Sequence, residues 1–210
     1  VLATMTLGPK KLQVGQLSFN GRGNFLIAVA TDMEHSLTVF DWRRGTKIRE
    51  GIAHGGPVDA ARFNPYSDAA FATCGEKHLK YWELGDEDLQ MSPGLFGDDG
   101  QPLNQRNVAF TPRQNTITGV ENGDIYIWSG GKVTARIEKA HKENVLGLLY
   151  VDKVGLFTAG KGGHLKLWDP DLRDTQRPIF DIDLRSFSVE GAPKLNARVS
   201  GRSMDWTTSE

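Results

Sequence analysis

Residues 155–168 read GLFTAGKGGHLKLW: a short run of small and apolar residues, a glycine turn, then an alternating run that closes on Trp168. In the second run Leu165 and Leu167 alternate with Lys166, the period of two that marks a strand. The same ending recurs upstream, as SLTVFDW at Trp42, HLKYW at Trp82 and DIYIW at Trp128, with spacings of 40, 46 and 40 residues. Roughly 20 residues before each Trp, a run ends in an aromatic: QLSF at Phe19, AARF at Phe63, VAF at Phe110 and LLY at Tyr150. Asn20-Gly21, Asn64-Pro65 and Thr111-Pro112 follow three of these runs and end them, because Pro removes a donor and Asn and Gly allow a tight reversal.

Between the two landmarks lies a small or apolar middle run: FLIAVAT, AAFATCG, NTITGV and GLFTAG. A more polar fourth segment, such as KIREGIAH up to His54 or KVTARIEKAH up to His141, reads as an outer strand whose charges discourage edge-to-edge pairing. Four strands per repeat, a period of ~40 to 45 residues and an aromatic at fixed phase are the pattern of β-propeller blades. One such sheet has two apolar faces and buries both only by stacking on neighbours. The expected fold is therefore all-β: four blades at residues 1–45, 46–85, 86–130 and 131–173, then an outer strand and the start of a further blade in 174–210. Trp42, Trp82, Trp128 and Trp168 are expected to be equivalent structural residues. A ring closed with four blades would need Met204–Trp206 as its matching terminal strand.

The chain has 210 residues, 39% hydrophobic and 9% aromatic, enough for a sizeable core. Its 25 Lys and Arg nearly cancel 26 Asp and Glu, so there is no overall field to hold nucleic acid or an anionic membrane. The single cysteine, Cys74, excludes an internal disulfide framework and reads as a small buried hydrophobe of a reducing compartment. No apolar run approaches the roughly 18 to 20 residues of a membrane span. Opening on Val1, with no signal-like core, the sequence suggests a piece of something longer.

These segments resemble WD repeats and, more narrowly, the echinoderm microtubule-associated protein-like family. DMEHSLTVFDWRRGTKI, FNPYSDAAFATCGEKHLKYWEL, GLFGDDG, ENGDIYIWSGG, AHKENVLGLLY and TAGKGGHLKLWDPDL are similar to consecutive stretches of that family's first propeller, over about residues 12 to 173. The resemblance implies a tandem pair of joined propellers, usually preceded by a coiled-coil and basic segment that attaches the protein to microtubules. By the same resemblance, WD repeats join a His, a Ser or Thr, a turn Asp and the Trp in a buried hydrogen-bonded relay. His141, Thr158 and Trp168 match three of those positions, but Lys161-Gly162-Gly163 carries no Asp, and Glu76 or Asn122 stands near it elsewhere. Each buried indole N–H is thus expected to need another acceptor or water.

A catalytic or metal reading finds little support. The five histidines, His35, His54, His78, His141 and His164, fall one or two to a repeat in three of the four repeats, as equivalents and not as a converging set. GKGGH at 160–164 enters a strand, without the helix that a phosphate loop needs. No catalytic residue, metal ligand, cofactor or small-molecule substrate is expected, and the chain reads as not an enzyme.

Two segments stand out by charge. Six acids and no base lie between Glu83 and Asn104, around Leu95-Phe96, and read as a solvated insertion or else a partner-binding loop anchored by Phe96. Arg43, Arg44, Lys47 and Arg49 follow the first Trp and read as an ordinary solvated edge, or else as a basic patch that helps to meet acidic tubulin. The expected function is a cytoplasmic, cytoskeletal scaffold that offers propeller loops to tubulin or to microtubule-associated proteins. The alternative is a WD-repeat adaptor in a ciliary or ubiquitin-ligase assembly. Turns before the third and first strands form one end of a propeller, which makes Glu34, His35, Lys77, His78, Arg106, Asn107, Glu121, Asn122, Lys142, Glu143, Lys161, Gly162 and His164 the candidate protein-interaction residues, with His54 beside them.

Overall fold

A computed structural model describes residues 4–7, 13–172 and 176–186. Among the described residues, sixteen strands form four antiparallel sheets of four, each in simple sequence order. Blade 1 holds β1 (Val14–Phe19), β2 (Phe25–Ala30), β3 (Ser36–Asp41) and β4 (Thr46–Ile52). Blade 2 holds β5 (Val58–Phe63), β6 (Ala70–Gly75), β7 (His78–Leu84) and β8 (Leu89–Pro93). Blade 3 holds β9 (Gln105–Phe110), β10 (Thr116–Val120), β11 (Ile125–Ser129) and β12 (Lys132–Ile137). Blade 4 holds β13 (Val145–Val151), β14 (Gly155–Gly160), β15 (His164–Trp168) and β16 (Phe180–Asp183). The first strands touch in series, β1 to β5 to β9 to β13, so the sheets fan out from an inner line as propeller blades.

The sequence repeat and the sheet are offset by one strand. β4 follows the boundary at residue 45 yet pairs back with β3, and β16 likewise completes blade 4. The expected start of a further blade at Met204–Trp206 lies outside the described residues. Repetition extends to an irregularity: all four inner pairs shift register near the start of the first strand, at Val14/Gln16, Val58/Ala60, Gly119/Val120 and Val145/Gly147. Such bulges raise local twist and let inner strands lie close around an axis.

Burial follows from stacking. Ile27, Val29, Leu37 and Val39 of blade 1 pack with Ala61, Phe63, Phe71 and Trp82 of blade 2. Cys74 and Leu79 of blade 2 meet Val108, Phe110, Tyr126 and Trp128 of blade 3, and Ile117, Ile125 and Ile127 of blade 3 meet Val145, Leu156 and Trp168 of blade 4. Cys74 is fully buried, and desolvation pushes its thiol far above the usual range, as expected of a packing residue. Each of these three indoles thus lies on the preceding blade.

Trp42 does not share that position, contrary to the sequence expectation. Opposite the second residue of the middle strand stand Trp82 (paired with Phe71), Trp168 (with Leu156) and, in blade 1, Phe40 (with Leu26); Trp128 pairs with Thr116 at the equivalent place. Trp42 lies beyond β3, half-buried, with its ring edge-on to Phe19 at 6.0 Å and its Nε1 donating to the Gly23 carbonyl at 2.8 Å. It covers Leu26, Ala28 and Phe40 together with Met5 and Leu7, on the side of blade 1 away from blade 2.

The indole N–H groups of the other three blades are satisfied from within, which also departs from expectation. Trp82, Trp128 and Trp168 donate to Thr73, Thr118 and Thr158 of the middle strands at 2.9, 2.8 and 2.9 Å. The missing turn Asp therefore bears on the other end of the relay and not on the Trp. In blade 4 His141 Nε2 lies 2.8 Å from the Thr158 hydroxyl, and in blade 3 Gln105 takes the part of the His, accepting from Thr118 at 2.6 Å. Blade 1 has Ala28 where the others have Thr and Phe40 where they have Trp, so donor and acceptor are lost together and neither is orphaned.

The acidic insertion is a clasp between blades. Leu95 N donates to Gly131 O at 2.8 Å and Val133 N to Leu95 O at 3.0 Å, which adds a short parallel bridge to the outer strand of blade 3. Phe96 is turned inward, edge-on to Trp128 at 5.1 Å and to Tyr126 at 6.4 Å, and is not an exposed anchor for a partner. Phe96→Ala is expected to lower stability by about 1 to 2 kcal/mol, less than a fully buried Phe would, in a chemical denaturation titration.

Candidate functional site

Antiparallel alternation brings one set of turns to a common end. The β2–β3, β6–β7, β10–β11 and β14–β15 turns lie beside the crossovers that join β4 to β5, β8 to β9 and β12 to β13. A repeated backbone contact ties each crossover to the turn of the following blade: Glu76 N to Pro57 O, Glu121 N to Asn104 O, and Lys161 N to Asn144 O, at 2.9 to 3.0 Å. This end is the crossover face. All the candidate interaction residues lie on it or just inside it.

They fall into distinct groups. Arg106 reaches Asp59 at 2.8 Å and Glu121 at 3.2 Å, and Asn104 holds the same Glu121 carboxylate at 2.8 Å. This network crosses from blade 2 to blade 3 and fixes Arg106 and Glu121 in place. Asn107 donates to Leu146 O at 3.0 Å across to blade 4, and Asn122 donates to Asp124 at 2.9 Å within its own turn. His164 Nδ1 lies 2.8 Å from Asp181, whose carboxylate Lys166 also approaches at 3.3 Å. Gly162 belongs to the tight β14–β15 turn, where Gly163, at φ +82°, closes onto Gly160 O.

The remaining candidates face solvent. Glu34, Lys77, Lys142 and Glu143 are exposed, and Lys161 lies 3.5 Å from Glu143 in a pair too exposed to add much. Lys77 and Lys142 have no ion pair among the described residues. The basic run past β3 is largely self-compensated, with Arg44 on Asp41 at 3.5 Å and Lys47 on Glu50 at 2.9 Å.

The histidines depart from the sequence reading, because three of them do converge. His54, on the first crossover, stacks on His78 of blade 2 with ring centroids 3.8 Å apart, and His35 Nδ1 lies 3.3 Å from His54 O. His78 is buried, and burial together with His54 holds it down to about 4. His141 is held to about 4 by burial and the Lys166 ammonium. Among the described residues no three His, Cys, Asp or Glu side chains are grouped to hold a metal ion.

With this geometry in place, residues 1–190 match the family described as echinoderm microtubule-associated protein first beta-propeller. The chain belongs to that family. It is 31% identical over 166 residues to human echinoderm microtubule-associated protein-like 2, covering 78% of this chain and 25% of the relative. The 77 kDa echinoderm microtubule-associated protein of Strongylocentrotus purpuratus is 29% identical over 157 residues, 73% of this chain and 23% of its own length. A ciliary WD repeat-containing protein, ctxp80 of Euplotoides octocarinatus, is 27% identical over 184 residues, 85% of this chain and 25% of its own. The chain thus spans about a quarter of the length of these relatives.

In solved structures the fold is that of the Cps50 (Swd1) β-propeller domain of Myceliophteria thermophila, with TM-score 0.68, 14% identity, and 81% of this chain laid over 58% of the other. That likeness concerns fold alone. Within the echinoderm microtubule-associated protein fold, sequence reasoning passed over Asp59, Asn104 and Lys80. Asp59 and Asn104 complete the Arg106 network, and Lys80 donates to Ala53 O at 2.7 Å beneath His54. Their signal lies in pairing between repeats, 47 residues apart for Asp59 and Arg106, where no local pattern points to it.

Proposed function

We propose that this chain is a non-enzymatic scaffold, part of a larger cytoplasmic propeller protein of microtubules, which offers the crossover face to tubulin or to an associated cytoskeletal protein. Membership of the microtubule-associated family is the observation that carries the reading. The face supports it physically. Its turns are the part of a blade free to vary without disturbing the stack, and Lys77 and Lys142 stand exposed on it as cations with no ion pair among the described residues. Nucleic acid, membrane and small-molecule substrates have no part in this reading.

Charge reversal tests the face. Lys77→Glu with Lys161→Glu is expected to weaken co-elution with tubulin about tenfold in apparent affinity while the melting temperature stays put, because neither side chain supports the core. Unchanged co-elution would discard this face. A second reading, an adaptor in a ciliary assembly, is favoured by the ciliary relative. Loss of binding to a ciliary complex, with tubulin binding intact, would support it instead. The same reading extends to an adaptor of a ubiquitin ligase.

A further inference from the structure

The crossover between blades 1 and 2 carries one half of a stacked histidine pair, whose other half stands on blade 2. Ala53 N donates to His35 O at 3.1 Å, Glu76 N to Pro57 O at 2.9 Å and Lys80 Nζ to Ala53 O at 2.7 Å, so residues 53–57 are gripped by the turns on both sides. His54 lies flat on His78 at 3.8 Å within that grip. His78 Nδ1 is 3.2 Å from Glu76 O, the arrangement of an N–H donated to a carbonyl. Its Nε2 then carries a lone pair, is buried, and has no hydrogen-bond partner among the described residues. We propose that this crossover is a proton-operated latch: protonation of the stacked His54–His78 pair releases residues 53–57 and opens the blade 1 to blade 2 sector of the crossover face.

From β7 the Lys80 ammonium opposes a proton on either ring, and from the β2–β3 turn His35 does the same. Only Glu76, on the β6–β7 turn, favours a proton on His54, and burial outweighs it. A second proton would set two cations face to face, and one on His78 Nε2 would leave a charged N–H buried without an acceptor. Both rings are therefore held below the usual imidazole range of about 6.5, His78 at about 4. The open state binds protons more readily than the closed one, so the latch is firm above about pH 6.5 and loosens as the pH falls from there towards about 4. The crossover from blade 2 to blade 3 makes the same backbone contact, Glu121 N to Asn104 O at 3.0 Å, with Asn104, Arg106 and Asp59 around it and no histidine.

Amide hydrogen exchange reads the two crossovers side by side in one sample. Corrected for intrinsic rates, protection of the Ala53 and Glu76 amides is expected to fall about tenfold or more from about pH 7.5 to about pH 5, while that of Glu121 stays within about twofold. The double variant His54→Gln, His78→Gln is expected to remove the difference. Unchanged protection at 53 and 76, a parallel fall at 121, or a pH dependence that survives in the variant would each overturn the latch. The comparison within the unmodified chain stands without the variant, should that fail to fold. It involves no partner, so its outcome is separate from that of tubulin binding.

Discussion

Trp168→Ala is expected to lower the stability of the fold by ~3 to 5 kcal/mol, a fall of roughly 6 to 20 °C in melting temperature for a chain of this size. The indole is 2% exposed and packs among Ile117, Ile125, Ile127 and Ile137 of blade 3, so its removal leaves a cavity that two stiff sheets cannot close. Trp42→Ala serves as the contrast. That ring caps the side of blade 1 away from blade 2 and is half-buried, and its loss is expected to cost about 1 kcal/mol. Thermal melting of both variants separates the cases. Equal shifts would mean that the two tryptophans are equivalent after all.

Thr158→Val is the second large effect, ~2 to 4 kcal/mol, although it preserves the shape of the side chain. Because the hydroxyl oxygen accepts the Trp168 N–H, its own hydrogen is free for His141 Nε2, which suits a neutral ring held at about 4 by burial. Valine strands both partners in the interior, and each orphan costs about 1 to 3 kcal/mol. Blade 1 shows the remedy, since Phe40 stands with Ala28. Trp168→Phe added to Thr158→Val is therefore expected to cost clearly less than the two single changes summed. Strict additivity in denaturant titrations would mean that the hydroxyl and the indole are uncoupled.

The blades themselves were legible from the sequence. Periodicity, turn residues and the recurrent aromatics located the strands, because one supersecondary unit is written four times. What escaped was the content of individual positions. Trp42 lies two residues past Phe40, and only the pairing of Phe40 with Leu26 tells which of them occupies the blade slot. The acidic segment around Phe96 reads as a solvated insertion or else a partner-binding loop, since nothing nearby in sequence announces that Leu95 bridges to Lys132 of the next blade. His54 and His78 fall within one sequence repeat, yet they meet only because a crossover passes over the following blade's turn. On the crossover face the turns follow from the order of the strands. Which charges stand free was not readable, because Arg106 and Glu121 are tied by partners drawn from blades 2 and 3.

The sharpest test of stacked, equivalent leaves is the hydrogen exchange of the indole N–H protons by NMR. Those of Trp82, Trp128 and Trp168, each bonded to a buried threonine hydroxyl, should exchange orders of magnitude more slowly than that of Trp42, which is bonded to a turn carbonyl in a half-buried site. Four matching rates, or a slow Trp42 beside three fast ones, would contradict the arrangement of the blades.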